Sequence, residues 1–130
     1  MAVVQLSVFL ENKKGRIAEV LGVLATEDIP VFGFSVADVN DYGIVRVIPE
    51  NGDQARAALE ARGFTVIENQ VVSALIEGGV RALADVVGIL SNAGVNIEYM
   101  YLTTRDSVVL RVEDTGAVES LLAHRGFQCL

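Results

Sequence analysis

Alternation opens the chain. Val4, Leu6, Val8 and Leu10 place an apolar side chain at every second position, the period of a half-buried strand. The period then changes. Ile17, Val20, Leu21 and Leu24 fall at the i, i+3, i+4, i+7 spacing of one helix face, which predicts a helix beginning near Gly15–Arg16. Apolar-rich runs at 31–39 and 43–49, joined by a turn at Asn40–Asp41, predict two more strands. GDQARAALEAR predicts a second helix, which Asn51 or Asp53 could cap and which Gly63 ends in a left-handed conformation. FTVIE follows as a short strand.

The same succession then repeats. VLGVL at 20–24 matches VVGIL at 86–90, an offset of 66 residues (86 − 20). Further on, ARGF at 61–64 matches HRGF at 124–127 at an offset of 63, so three residues are lost in between. The turn after the second strand is the place for that loss, where VNDYG is answered by RD. Leu83, Val86, Val87 and Leu90 give the second copy its first helix face, Val118, Leu121 and Leu122 its second, and FQCL its closing strand. Two repeats, 1–68 and 69–130, account for the chain.

Each repeat reads β-α-β-β-α-β. That order predicts an α+β chain of two ferredoxin-like units, antiparallel sheets with both helices on one face. Pairing of free edges would join them into one eight-stranded sheet. The face of the first strand away from its helices, Val3, Gln5, Ser7 and Phe9, is mixed and not strictly polar, which suggests cover by a second chain and hence a homodimer.

Composition narrows the function. The chain has 130 residues, 52% of them hydrophobic, so it can bury a core and is not a disordered segment. Its net charge of −7 argues against a phosphate-backbone ligand, which wants a basic face. No stretch approaches the roughly 20 apolar residues of a membrane span. MAVVQLSVFLEN has neither the basic start nor the cleavage site of a signal peptide, and with one cysteine, Cys129, no intrachain disulfide can form, so the expected location is the cytoplasm.

Catalytic chemistry finds no footing. His124 falls in the last turn of a helix, where a cation is favoured by the helix dipole alone. None of the serines has a G-x-S-x-G setting, and no H-E-x-x-H or D-x-D-x-D-G motif offers a metal site. Neither a catalytic residue, nor a metal ligand, nor a cofactor is expected. Tyr99 and Tyr101 share a strand face but lack the basic surround of an RNA-binding sheet, so interface packing is the expected role.

One loop stands apart. ENKKG at 11–15 joins a strand to a helix, and free N–H groups at a helix start can hold an anion that glycine allows to approach closely. Asn12 adds both a donor and an acceptor, suited to a group carrying carboxylate and ammonium together.

LSVFLENKKGRIAEVLGVLATEDIPV resembles the opening of an ACT domain, a small-molecule-sensing module of amino-acid metabolism, and GVNI at 94–97 matches a second hallmark, at the start of the second strand. The resemblance implies a non-catalytic regulatory protein that binds a free amino acid at the interface of two ACT repeats. By residue it places Asn12 and Gly15 in the loop motif and Asn96 in the second, with Lys13, Lys14, Arg16, Ile17, Val95 and Ile97 as lining. The motifs are split: the first repeat has Ile29-Pro30-Val31 where the asparagine belongs, and the second has EGGVR in place of ENKKG. The expectation is therefore one complete composite site, 12–17 with 94–97, and one weaker, 77–82 with 29–32. Other readings are a ligand-free assembly module and a regulatory subunit of an amino-acid biosynthetic enzyme such as acetolactate synthase, whose small subunits have a similar loop.

Overall fold

The computed structural model describes residues 3–11, 13–39 and 41–130. Among them the order is β1 (Val3–Glu11), α1 (Arg16–Thr26), β2 (Val31–Val39), β3 (Tyr42–Pro49), α2 (Gly52–Ala61), β4 (Thr65–Leu75), α3 (Val80–Asn92), β5 (Tyr99–Leu102), β6 (Ser107–Arg111) and α4 (Thr115–His124). The chain divides into two compact units, residues 4–69 and residues 70–130 with Val3. The boundary falls inside β4.

In the first unit β3 lies between β2 and β1, antiparallel to both, and β1 has β4 as its other neighbour. In the second, β6 lies between β4 and β5, again antiparallel. Among the described residues six strands therefore stand where eight were expected. Two physical causes account for the difference. No glycine or proline interrupts residues 64–75, so the last strand of the first repeat runs straight into the first strand of the second. The closing FQCL makes only an isolated bridge, Cys129 to Ala74, flanked by Leu75 N–H to Gln128 O and Leu130 N–H to Ser73 O at 2.8 Å each.

The strand registers locate the missing residues. Phe34 pairs with Val47, and Met100 pairs with Leu110. The first partners are 66 apart and the second 63, so the three residues are lost within the hairpin.

Each unit has its own apolar core between sheet and helices. Leu6, Val8, Leu10, Val45 and Val47 meet Val20, Leu24 and Leu59 in the first. Val72, Val108 and Leu110 meet Val86, Leu90 and Leu122 in the second. The helix faces are turned by one position from those expected. On α1 the buried residues are Val20, Val23 and Leu24, while Ile17 and Leu21 are 41% and 42% exposed. On α3 they are Ala82, Val86, Ile89 and Leu90. Both helices are apolar over a wide arc, so two overlapping stripes satisfy the same period and packing selects between them.

Polar groups on the other sheet faces are buried and satisfied. Gln5 Nε2 donates to Ser7 Oγ at 3.1 Å, and Ser7 Oγ donates to Asn69 Oδ1 at 2.7 Å. Ser73, which matches Ser7 at the repeat offset, donates to Ser107 Oγ at 3.0 Å. Burial at such positions is tolerated because each hydroxyl finds a partner.

The helix starts fall into two kinds. Asn51 Oδ1 accepts from Gln54 N–H at 3.1 Å and Asp114 Oδ1 from Ala117 N–H at 3.0 Å, so α2 and α4 are capped. Helices α1 and α3 begin on Gly15 and Gly79, both at positive φ, with no side-chain cap.

Candidate functional site

The loop that ends β1 is held by its own charges. Lys13 N–H donates to Glu11 O at 2.7 Å, and its ammonium lies 2.8 Å from the Glu11 carboxylate. The hydrogen bond from the Lys13 ammonium, and then its charge, keep the Glu11 carboxyl below the ordinary range. Gly15 sits at φ 89°, ψ −7°, a left-handed turn that leads directly into α1. A Cβ there would meet nothing within 4 Å, so the residue is required by its backbone angle and leaves open space beside the helix start. Arg16 has partners of its own. Its guanidinium lies 2.8 Å from Glu19 and stacks over the Phe64 ring at 5.0 Å.

Of the expected loop residues, Lys13, Lys14 and Gly15 are exposed, Arg16 is half-buried and Ile17 is exposed. Asn12 lies outside the described residues. Arg16 N–H donates to Lys13 O at 3.4 Å, and among the described residues the N–H groups of Ile17 and Ala18 have neither an intrahelical acceptor nor a side-chain cap. The arrangement therefore offers backbone donors, flanked by two lysines, to a small anionic group.

GVNI does not begin a strand. It precedes β5 and closes α3: Gly94, at φ 74°, donates to Ser91 O at 3.0 Å and Val95 to Leu90 O at 2.9 Å. Val95 and Ile97 pack against the second core, which leaves Asn96 exposed between them. Asn96 borders a cavity of about 500 Å3 shared with Glu98, Glu113 and Asp114. The same bend occurs in the first unit, where Asp28 takes φ 53° and Ile29 donates to Leu24 O at 3.0 Å.

The loop of the second repeat is built differently. Gly78 and Gly79 stand at φ 103° and 69°. They line a cavity of about 660 Å3 with Val80, Leu83, Leu102 and Asp106. Ile76 N–H to Asp106 O, 2.8 Å, ties the loop to the β5–β6 hairpin. Sequence reasoning missed the hairpin residues Leu102, Thr103, Asp106 and Ser107 of this cavity, because only tertiary pairing brings them to the loop. Tyr99 and Tyr101 stack on each other, ring centres 6.5 Å apart.

Among the described residues no group of three or more His, Cys, Asp or Glu side chains could hold a metal ion, and no helix is long and apolar enough to cross a membrane.

The fold and the paired loops define the class. The family model for the ACT domain pair matches residues 1–127, and the chain belongs to that family. It is similar to the crystal structure of protein BT0572 from Bacteroides thetaiotaomicron, with 39% identity over 100% of this chain and 92% of that one, at a TM-score of 0.86. Two further similar structures are regulatory subunits of aspartate kinase. That from Thermus thermophilus, in ligand-free form, has 20% identity, covers 95% of this chain and 92% of its own, and gives a TM-score of 0.65. That from Thermus flavus has 18% identity, 93% and 90% coverage, and a TM-score of 0.62. At these identities the two Thermus proteins show a shared fold. No curated protein matches the chain.

Proposed function

We propose that this ACT domain pair is a non-catalytic sensor that binds a free amino acid and passes the bound state to a partner protein. The observation that carries the reading is the start of α1: a left-handed glycine, no side-chain cap, and two lysines beside open backbone donors. A carboxylate satisfies those donors, and an amide side chain at Asn12 or Asn96 is suited to an ammonium group. The ligand residues in this proposal are Asn12, Lys13, Lys14, Gly15, Arg16 and Ile17 acting with Val95, Asn96 and Ile97. The protein acts as a homodimer in the cytoplasm. Ligand binding shifts the population that the partner reads.

A second reading, favoured by the fold shared with the Thermus regulatory subunits, makes that partner a biosynthetic enzyme in permanent association with the chain.

A thermal-shift screen of the twenty amino acids tests the sensor. A ligand at 100 times its dissociation constant stabilises the chain by about 2.7 kcal/mol. Calorimetry of the responding amino acid should then show one site per chain, weakened in Asn12→Ala and in Asn96→Ala. No response to any amino acid would leave an assembly module, and unaltered affinity in both variants would move the site elsewhere.

A further inference from the structure

The second unit holds a hollow of its own, between the loop that starts α3 and the β5–β6 hairpin. Its volume of about 660 Å3 lies within the range of small-molecule sites. Ile76, Val80, Leu83 and Leu102 give it an apolar wall. That wall is open to solvent, with Val80 80% and Leu102 58% exposed.

The polar groups of the cavity are of two kinds. Glu77 and Asp106 bring carboxyl groups, both exposed, and no Lys, Arg or His stands among the lining residues. The other kind is a run of hydroxyls. Ser73 Oγ donates to Ser107 Oγ at 3.0 Å, and Ser107 Oγ shares a hydrogen bond of 2.6 Å with Thr103 Oγ1. Thr103 Oγ1 also accepts from Arg105 N–H at 3.1 Å. One proton serves the Ser107–Thr103 bond. The other of those two hydroxyl protons has no acceptor among the described residues, whichever way the bond runs. Ser107 is buried and Thr103 half-buried, so the spare proton belongs on Thr103, where the cavity can still satisfy it.

These groups select a ligand. The apolar wall takes a hydrocarbon side chain. Two carboxylates without a cation favour an ammonium and oppose a further negative charge. The Thr103 proton, and the uncapped N–H groups at the start of α3, call for an acceptor oxygen. A free amino acid would supply that oxygen only as a third carboxylate. A neutral carbonyl beside an α-ammonium meets every requirement. The first-repeat loop, with Lys13 and Lys14, has the opposite charge preference.

We infer that this cavity binds the α-ammonium end of an apolar amino acid whose carboxyl group is blocked as an amide, as a free amide or as the first residue of a peptide. The ammonium pairs with Glu77 and Asp106, the carbonyl oxygen accepts from Thr103, and the side chain lies against Val80, Leu83 and Leu102. The site is complete within the second repeat. It goes beyond the amino-acid sensor proposed above, so a failed amino-acid screen leaves it standing.

Calorimetry on the full chain with leucine compounds tests it. Leucine amide and leucyl-alanine amide should bind, one per chain, and the tighter of the two tells free amide from peptide. Free leucine adds a carboxylate and N-acetyl-leucine amide lacks the ammonium. Each should compete with leucine amide about tenfold less well than leucine amide itself. Asp106 stands at φ 53°, which asparagine tolerates, so Glu77→Gln combined with Asp106→Asn should fold, as circular dichroism would verify. That double variant should bind leucine amide about tenfold more weakly, and Thr103→Val severalfold more weakly. Silence from both amides, free leucine or the acetylated amide competing as well as leucine amide, or a folded double variant at full affinity would each overturn the site.

Discussion

The two repeats agree where the chain packs and differ where it could bind. Leu24 and Leu90, at the repeat offset, are buried in equivalent cores, and Asn51 and Asp114 cap equivalent helices. The loops after the first strand of each repeat have diverged. One carries two lysines and a single left-handed glycine, and the other two glycines beside a largely apolar cavity. Both loops keep an uncapped helix start, so the shared device is backbone and the difference is side-chain chemistry. A duplicated unit can thus keep its fold by its core and caps while each loop takes its own ligand chemistry.

The largest effects should fall on the shared core. Leu24→Ala and Leu90→Ala are each expected to lose about 2–5 kcal/mol in urea denaturation, against well under 1 kcal/mol for Ile17→Ala on the exposed side of α1. A loss at Ile17 equal to that at Leu24 would mean that α1 buries the other stripe. Next come the loops, where the repeats should part. Gly79, at φ 69° and ψ −134°, lies near a region that essentially only glycine visits, whereas Gly15 is an ordinary left-handed residue. Gly79→Ala should cost up to about 3 kcal/mol and Gly15→Ala about 1 kcal/mol. Equal costs would erase the distinction between the two loops. The smallest effects should be equal again: Asn51→Ala and Asp114→Ala, compared by the same denaturation, should each lose roughly 1 kcal/mol.

Local signals carried well from sequence to structure. The sequence offered Asn51 or Asp53 as the cap of α2 and the structure uses Asn51, while Gly63 and Gly126 end α2 and α4 at φ 85° and 88° as left-handed stops. Periodicity placed α1 and α3 but not their rotation, because a helix apolar at 17, 18, 20, 21, 23 and 24 does not declare which stripe faces the sheet. The fusion of two expected strands into β4 was readable in hindsight, since neither glycine nor proline separates Phe64 from Leu75. The candidate site was legible only as motifs. Sequence placed ENKKG, residues 11–15, on a strand-to-helix loop, but gave GVNI to a strand when its work is to close α3 and seat Val95 and Ile97 in the core. The hairpin side of the second-repeat cavity depends on contacts between Ile76 and Asp106, thirty residues apart, which no local pattern encodes.

Strand β4 has one more consequence. Val66 belongs to the first core, and Val72 and Ala74 to the second. All three occupy even positions of one uninterrupted strand, while Val71 and Ser73 fall on odd ones. A side chain changes face with every residue, so inserting a single amino acid between Val66 and Val72 would turn one repeat's core residues toward the wrong side. The junction is therefore governed by parity: the stretch of strand between the two cores can change length only in steps of two.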